Sequence, residues 1–328
     1  MNKPLAATLT LLLGIGHFFT YASQEKVSEL PLNECFVEHV RSKALCGTLA
    51  VPENRQQPMN ADNAINLNLV VLPKFKEQSK RLPVMFLAGG PGQAATELAG
   101  MLNGPLNTLR QEHDIILVDQ RGTGKSNPLV CDAEHIESLS FDDSQLDLAK
   151  ETKECLEQFT EQHLPSYNTY DSIEDFEAVR SALGHEQVHI IGGSYGTRAG
   201  FAYLKRFPES IKTATLDSNA PMELVIGLFG RTSERAFDLM VEDCRQHQGC
   251  QAAFPQLKQD YLKLMARLAQ GAIEAPTFHP ATGQAITMVL TQQKVTEALR
   301  GTLYSLASRQ ILPYIVHTAA NGDYRALS

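Results

Sequence analysis

Residues 189–200 read HIIGGSYGTRAG. The apolar start is a strand buried on both faces, the GGSYG core is a tight turn, and TRAG opens a helix. Gly192, Gly193, Ser194, Tyr195 and Gly196 fit the pattern G-x-S-x-G. That spacing has a mechanical reason: a serine lifted out at the top of a strand needs a sharp backbone, and small neighbours let strand and helix approach each other. The helix that follows aims its free N–H groups and the positive end of its dipole at charge developing beside the serine. Ser194 is therefore the candidate nucleophile. An ordinary strand-to-helix turn could carry the same letters, but here a buried strand precedes the pattern and a helix follows it.

The flanking chain repeats the alternation. CGTLAVPENR, INLNLVVLPKF, LPVMFLAGGPG, HDIILVDQRGTG and IKTATLDSNAP have strand character, and INLNLVV alternates apolar and polar residues from Ile65 to Val71. SIEDFEAVRSALG has helical spacing, with Ile173, Phe176, Val179 and Leu183 on one side and Gly184 as the stop. GTRAGFAYLKRF is a helix ended near Pro208, and the polar stretch from Ser144 to His163 is expected to be helical. Strands alternating with helices predict an α/β fold with a mostly parallel, doubly wound sheet. After Pro221 the patterns are helical, and no buried strand is expected before Ser328. The expected organisation is a signal segment over 1–22, an α/β core over 23–220 and a helical segment over 221–328.

Composition narrows the function. The chain of 328 residues has a net charge of −8 and no stripe of Lys or Arg, which argues against nucleic-acid binding. Lys3 followed by LAATLTLLLGIGHFFTYA resembles a signal peptide, with Thr20 and Ala22 at the −3 and −1 positions of a cleavage site. Export to the periplasm or the medium, with no membrane attachment after cleavage, is the expectation. Six cysteines fit an oxidising compartment. Pairing of neighbours gives Cys35–Cys46, Cys131–Cys155 and Cys244–Cys250, and no His/Cys spacing resembles a zinc site.

Two further glycine-rich loops follow strands. LAGGPGQ stands where this architecture puts its second oxyanion donor, so the N–H of Gly89 or Gly90 is expected beside that of Tyr195. DQRGTGKSNP resembles the end of a phosphate-binding loop at Gly124-Lys125-Ser126, which leaves nucleotide binding as an alternative function. That motif needs glycine at position 119, and the sequence has Asp119. Asp119 and Arg121 are instead expected to brace the edge of the site through hydrogen bonds.

Taken in order, AGGPG, DQRGTGKSNPL, GGSYGTR and LDSNAP resemble the α/β-hydrolase serine peptidases of the prolyl and tripeptidyl aminopeptidase type, a likeness running from about Cys35 to the end. The resemblance implies an α/β-hydrolase fold with a helical cap that includes ILPYIVHTAANGDYRAL. It implies a cofactor-free serine exopeptidase acting on short peptides through an acyl-enzyme on Ser194, with an esterase or a non-catalytic binding protein as alternatives. Members often carry His before the oxyanion glycines, where this chain has Ala88. In this fold the triad order is Ser, then acid, then His. Only His247, His279 and His317 follow Ser194, none after a strand that could extend the sheet, and Asp217 is the one acid close by in the fold pattern. The resemblance places the true acid and base on strands beyond the cap. The sequence to Ser328 is thus expected to lack both partners and the final sheet strands, and to be inactive by itself.

Overall fold

The computed structural model describes residues 30–104, 106–132 and 138–328. The signal segment expected over 1–22 lies outside them. Strands β1 (Asn33–Cys35), β2 (Ala44–Pro52), β3 (Ala64–Leu72), β4 (Val84–Leu87), β5 (Ile115–Val118), β6 (Val188–Gly193) and β7 (Ile211–Asp217) form one sheet in the order β1-β2-β3-β5-β4-β6-β7. From β5 through β4 and β6 to β7 the strands are parallel. The margin made by β1, β2 and β3 is antiparallel, including the β3–β5 pair.

Strand periodicity explains why both faces are covered. In β3, Ile65, Leu67, Leu69 and Val71 enter one core, while Val70 and Leu72 enter another. In β5, Ile116 and Val118 join the first core, and Ile115 and Leu117 the second. Successive side chains of a strand point to opposite faces, so such runs need an apolar layer on each side. Helix α1 (Leu148–Leu156) lies in the excursion between β5 and β6, on the chain expected to be helical, with a short helical turn at Leu164–Ser166 after it. Helices α2 (Thr169–Ala182) and α3 (Tyr195–Arg206) cover the first core with Ile173, Phe176, Val179, Ala199, Ala202 and Tyr203. Ala95, Leu98 and Ala99 help to cover the second.

Polar side chains lock this layer at two points. Arg121 is buried and forks onto Asp175, with Nε to Oδ2 at 2.7 Å and a terminal nitrogen to Oδ1 at 2.8 Å, while another nitrogen donates to the Glu53 carbonyl at 2.7 Å. Arg55 also donates to Asp175. A buried carboxylate with two guanidinium partners is costly to break, because removing one side strands a charge. The second lock is Glu177, which accepts from Arg180, from the Tyr203 hydroxyl at 2.9 Å and from Ser210 at 2.9 Å. It ties α2 to α3 and to the start of β7.

Beyond β7 a separate apolar core gathers α4 (Gly230–Gln246), α5 (Leu257–Leu268), α6 (Gln292–Thr302) and α7 (Leu312–Ala320) through Phe237, Leu264, Leu299 and Val316. Here the expectation of helices alone is corrected. Strands β8 (Ile273–Phe278) and β9 (Ala285–Leu290) pair antiparallel and put Ile273, Ala275 and Leu290 into that core. IEAPTF hides its strand character, since Pro276 interrupts it and only alternate residues are buried. The segment is also tied to the excursion between β5 and β6. Lys294 on α6 donates to the carbonyls of Phe141 at 2.6 Å and Leu139 at 3.2 Å, and Val289 N donates to Leu139 O at 3.0 Å. The cysteines pair as Cys35–Cys46, Cys131–Cys155 and Cys244–Cys250.

The Glu177 lock generates a pH prediction. Burial pushes this carboxyl up, but donation from Arg180, Ser210 and Tyr203 outweighs it and holds the group below the ordinary glutamate value. A carboxyl depressed by folding stabilises the fold above its unfolded value, about 4.3, and loses that contribution as pH falls through the folded value. Glu177→Gln should therefore lower the melting temperature at pH 7, and the gap to the parent should narrow steadily from about pH 5 to pH 3. A gap independent of pH, measured by thermal melts, would refute this role.

Candidate active site

Strand β6 ends at Gly193, and α3 begins at Tyr195, so Ser194 makes the whole turn alone. Its backbone stands at φ +53° and ψ −120°. A residue with a side chain adopts that region only under compulsion, at a cost of about 1–3 kcal/mol. The compulsion comes from close packing. A Cβ on Gly196 would lie 2.0 Å from the Leu87 carbonyl oxygen at the end of β4, and one on Gly192 would lie 2.5 Å from the Gly196 carbonyl. Helix α3 can thus start directly against the sheet only with glycine at these positions. Ser194 is left exposed at the helix start.

The turn is pinned from below. Ser194 N donates to the Asp217 carbonyl at 3.0 Å, continuing the β6–β7 pairing. Thr197, fully buried, donates through Oγ1 to the Ser194 carbonyl at 2.7 Å and accepts from Ala220 N at 2.8 Å. The Tyr195 side chain is buried, with its hydroxyl 2.7 Å from Thr169 Oγ1, so what this residue can offer a substrate is its backbone N–H. The first N–H groups of a helix have no partner within it.

The glycine loop after β4 comes to the same place. A Cβ on Gly89 would sit 3.4 Å from the Ser194 Cβ and 3.3 Å from the Gly193 carbonyl, while Gly90 turns the loop at φ +104°. Asp119 holds this loop in position. Its buried carboxylate accepts from Thr96 N at 2.9 Å, Thr96 Oγ1 at 2.9 Å, Asn68 Nδ2 at 2.8 Å and Lys125 N at 3.2 Å. A Cβ on Gly124 would collide with the same carboxylate at 2.5 Å. The backbone that a phosphate-binding loop would turn toward a nucleotide is therefore closed around an anion already in the chain. Ser126, the last residue of the resemblance, is buried and accepts from Asn68 N at 2.8 Å. Geometry speaks against the nucleotide alternative.

The histidines after Ser194 are engaged elsewhere. His317 Nδ1 lies 2.7 Å from Asp260 Oδ2, joining α7 to α5. His247 bonds the Asp243 carbonyl at 2.7 Å, and His279 accepts from Ala281 N in the turn between β8 and β9. Asp217 is exposed, its carboxylate accepts from its neighbour Ser218 at 3.3 Å among the described residues, and its carbonyl receives Ser194 N. Among the described residues no group of three or more His, Cys, Asp or Glu is placed to hold a metal ion. Asn68, Thr96 and Thr197 serve the site without having been singled out in the sequence. Thr197 alone had a signal, its place directly after the nucleophile pattern.

This arrangement defines a class. The chain belongs to the α/β-hydrolase fold family, whose pattern matches residues 83–269. It is similar to serine protease Hip1 of Mycobacterium tuberculosis H37Rv, 29% identical over 226 residues that make up 63% of this chain and 42% of that protein. It is also similar to tripeptidyl aminopeptidase of Streptomyces lividans, 25% identical over 253 residues covering 69% of this chain and 46% of that one. Proline iminopeptidase of Neisseria gonorrhoeae is 29% identical over 136 residues, 41% of this chain and 32% of its own length. The chain spans less than half the length of these relatives.

The close approach of α3 to β4 is directly testable. Gly196→Ala should destabilise the fold by at least about 2 kcal/mol, since the added carbon meets backbone that cannot rotate away. Gly249→Ala, whose new carbon would meet nothing within 4 Å, should leave the denaturation midpoint close to the parent's. Equal midpoints for the two variants in urea would contradict the packing described.

Proposed function

We propose that this chain carries the nucleophile and the oxyanion hole of a serine hydrolase that releases N-terminal residues or short peptides from peptide substrates. The observation that carries the proposal is the backbone of Ser194, held at φ +53° and exposed at the start of α3. Strain of that kind persists where the surrounding packing over-determines it, and it is concentrated at reacting groups. Names of the similar proteins support peptides as the substrate class: serine protease, tripeptidyl aminopeptidase and proline iminopeptidase.

In this reading Ser194 Oγ attacks the scissile carbonyl carbon, its proton passes to a general base, and the carbonyl oxygen becomes an oxyanion. The N–H groups of Tyr195 and of Gly89 or Gly90 donate to that oxygen. Collapse expels the amine, protonated by the base, and leaves an ester on Ser194. Water, deprotonated by the same base, releases the acid and restores the hydroxyl. None of His247, His279 and His317 bonds to Ser194, so no base is assigned among them. Ser194 is exposed, so a base and its orienting acid can reach its hydroxyl from the solvent side. Residues 221–328 act as a cap that roofs the site and limits substrate length. Export fits the three disulfides, and no described helix is long and apolar enough to cross a membrane.

Matched aminoacyl amides and esters test the assignment on the protein as its native source makes it. Both should be hydrolysed, and Ser194→Ala should lower kcat/KM on the amide by at least about 10³-fold with an unchanged melting temperature. Brisk ester turnover without amide cleavage would replace the peptidase reading with an esterase. Full activity in Ser194→Ala would end both.

A further inference from the structure

Both peptide units that flank Ser194 are tied to one short piece of chain, the exit from β7. The N–H of Ser194 donates to the Asp217 carbonyl at 3.0 Å. Its carbonyl accepts twice from Thr197, from the backbone N–H at 3.0 Å and from Oγ1 at 2.7 Å. The same Oγ1 accepts from Ala220 N at 2.8 Å. Between Asp217 and Ala220 the chain bends at Ser218, whose φ of +61° lies in the left-handed region. The bend returns the Ala220 N–H to α3. Arg198, the next residue of the helix, clasps the same exit by donating to the carbonyls of Ala220 at 3.4 Å, Pro221 at 2.8 Å and Leu224.

These partners fix the direction of the Thr197 hydroxyl. Thr197 is fully buried, so solvent does not compete for it. A hydroxyl has one proton to give and two lone pairs. With the Ala220 N–H on a lone pair, the proton goes to the Ser194 carbonyl. That carbonyl belongs to the same planar peptide unit as the N–H of Tyr195, and in a trans unit the two point in opposite directions. Holding the carbonyl therefore aims the N–H. Hydrogen bonds in a chain also polarise one another, so a carbonyl that accepts makes the N–H of its own unit a stronger donor.

We propose that Thr197 is a positioning residue for the oxyanion hole: its hydroxyl, set by Ala220, aims and polarises the Tyr195 N–H toward the oxygen of the tetrahedral intermediate. This rests on the hydrolase reading above. Buried Thr197 acts on the reaction through one peptide unit, and that unit matters most as negative charge grows on the substrate oxygen. Loss of the hydroxyl should therefore fall on kcat and leave KM largely alone.

The experiment compares the protein as its native source makes it with Thr197→Val, which keeps the shape and loses the donor, and Thr197→Ser, which keeps the donor. The substrates are a peptide ester and the matching thionoester. Sulfur accepts hydrogen bonds poorly, so a thionoester gains little from an oxyanion hole. In Thr197→Val, kcat on the ester should fall about thirtyfold with KM within about twofold, less than the cost of losing a whole donor. The thionoester should lose only about threefold, and Thr197→Ser should recover kcat on the ester to within about threefold of the parent. Equal losses on ester and thionoester would overturn the proposal, because Thr197 would then only support the turn that carries the nucleophile. An unchanged kcat in Thr197→Val, or a loss that Thr197→Ser shares in full, would overturn it too. Should Thr197→Val not fold, Thr197→Cys replaces it, differing from Thr197→Ser by one atom that donates weakly. Its kcat on the ester should then lie at least about fivefold below that of Thr197→Ser, and equal values would overturn the proposal. If Ser194→Ala keeps the parent's activity, the hydrolase reading fails by itself, and hydrogen exchange of the Ala220 amide, read by NMR, decides whether Thr197 ties the turn to the exit from β7. That exchange should quicken about tenfold in the variant without the hydroxyl, and unchanged exchange would overturn the tie.

Discussion

The distance between the first turn of α3 and the end of β4 governs the site. With glycine at position 196, the helix sits directly on the Leu87 carbonyl, where any side chain would be in collision. That contact leaves one residue to reverse the chain from strand to helix, which forces Ser194 into its strained backbone and exposes its hydroxyl. It also brings β4's following loop, with Gly89, beside Ser194. The exposed serine and the glycine loop beside it are thus consequences of one close approach. The energy for it comes from the apolar layers on both faces of the sheet, which hold α3 down through Ala199, Ala202 and Tyr203.

Buried charge fixes what apolar packing leaves free. Asp119 gathers donors from β3, from the loop after β4 and from the turn after β5, so that three separate pieces of chain meet at one carboxylate. A carboxylate with four donors is well satisfied, and it defines a single arrangement of those loops. Arg121 does the same on the next turn of chain, reaching Asp175 on α2 and the Glu53 carbonyl after β2. The run DQRGTGKS resembles a nucleotide loop for this reason. Glycines are needed there to close around an acid, as elsewhere they close around a phosphate.

Much of this was legible in the sequence, and the boundary of legibility is physical. Strands β2 to β6 and helices α2 to α7 announce themselves through apolar runs or periodic apolar faces that become buried, whereas β7 shows strand letters although only Ile211 in it is buried. Ser194 was legible because its pattern encodes a local constraint between strand and helix. The antiparallel margin of β1, β2 and β3 was not, since alternation in INLNLVV says nothing about which neighbour a strand takes. The β8–β9 hairpin escaped because six-residue strands with Pro276 inside give little periodic signal. Asn68, Thr96 and Arg198 were silent for a different reason: each works through partners distant in sequence or through backbone carbonyls, which carry no letter.

The central claim is that the strained turn makes Ser194 the reacting group. The most direct measurement is mass spectrometric mapping of the native protein after treatment with a fluorophosphonate, which forms a stable ester with an activated serine. The account predicts one adduct, on the peptide containing Ser194, and its disappearance when the protein is unfolded before treatment. An adduct on a different serine, or none on the folded native protein, would contradict it.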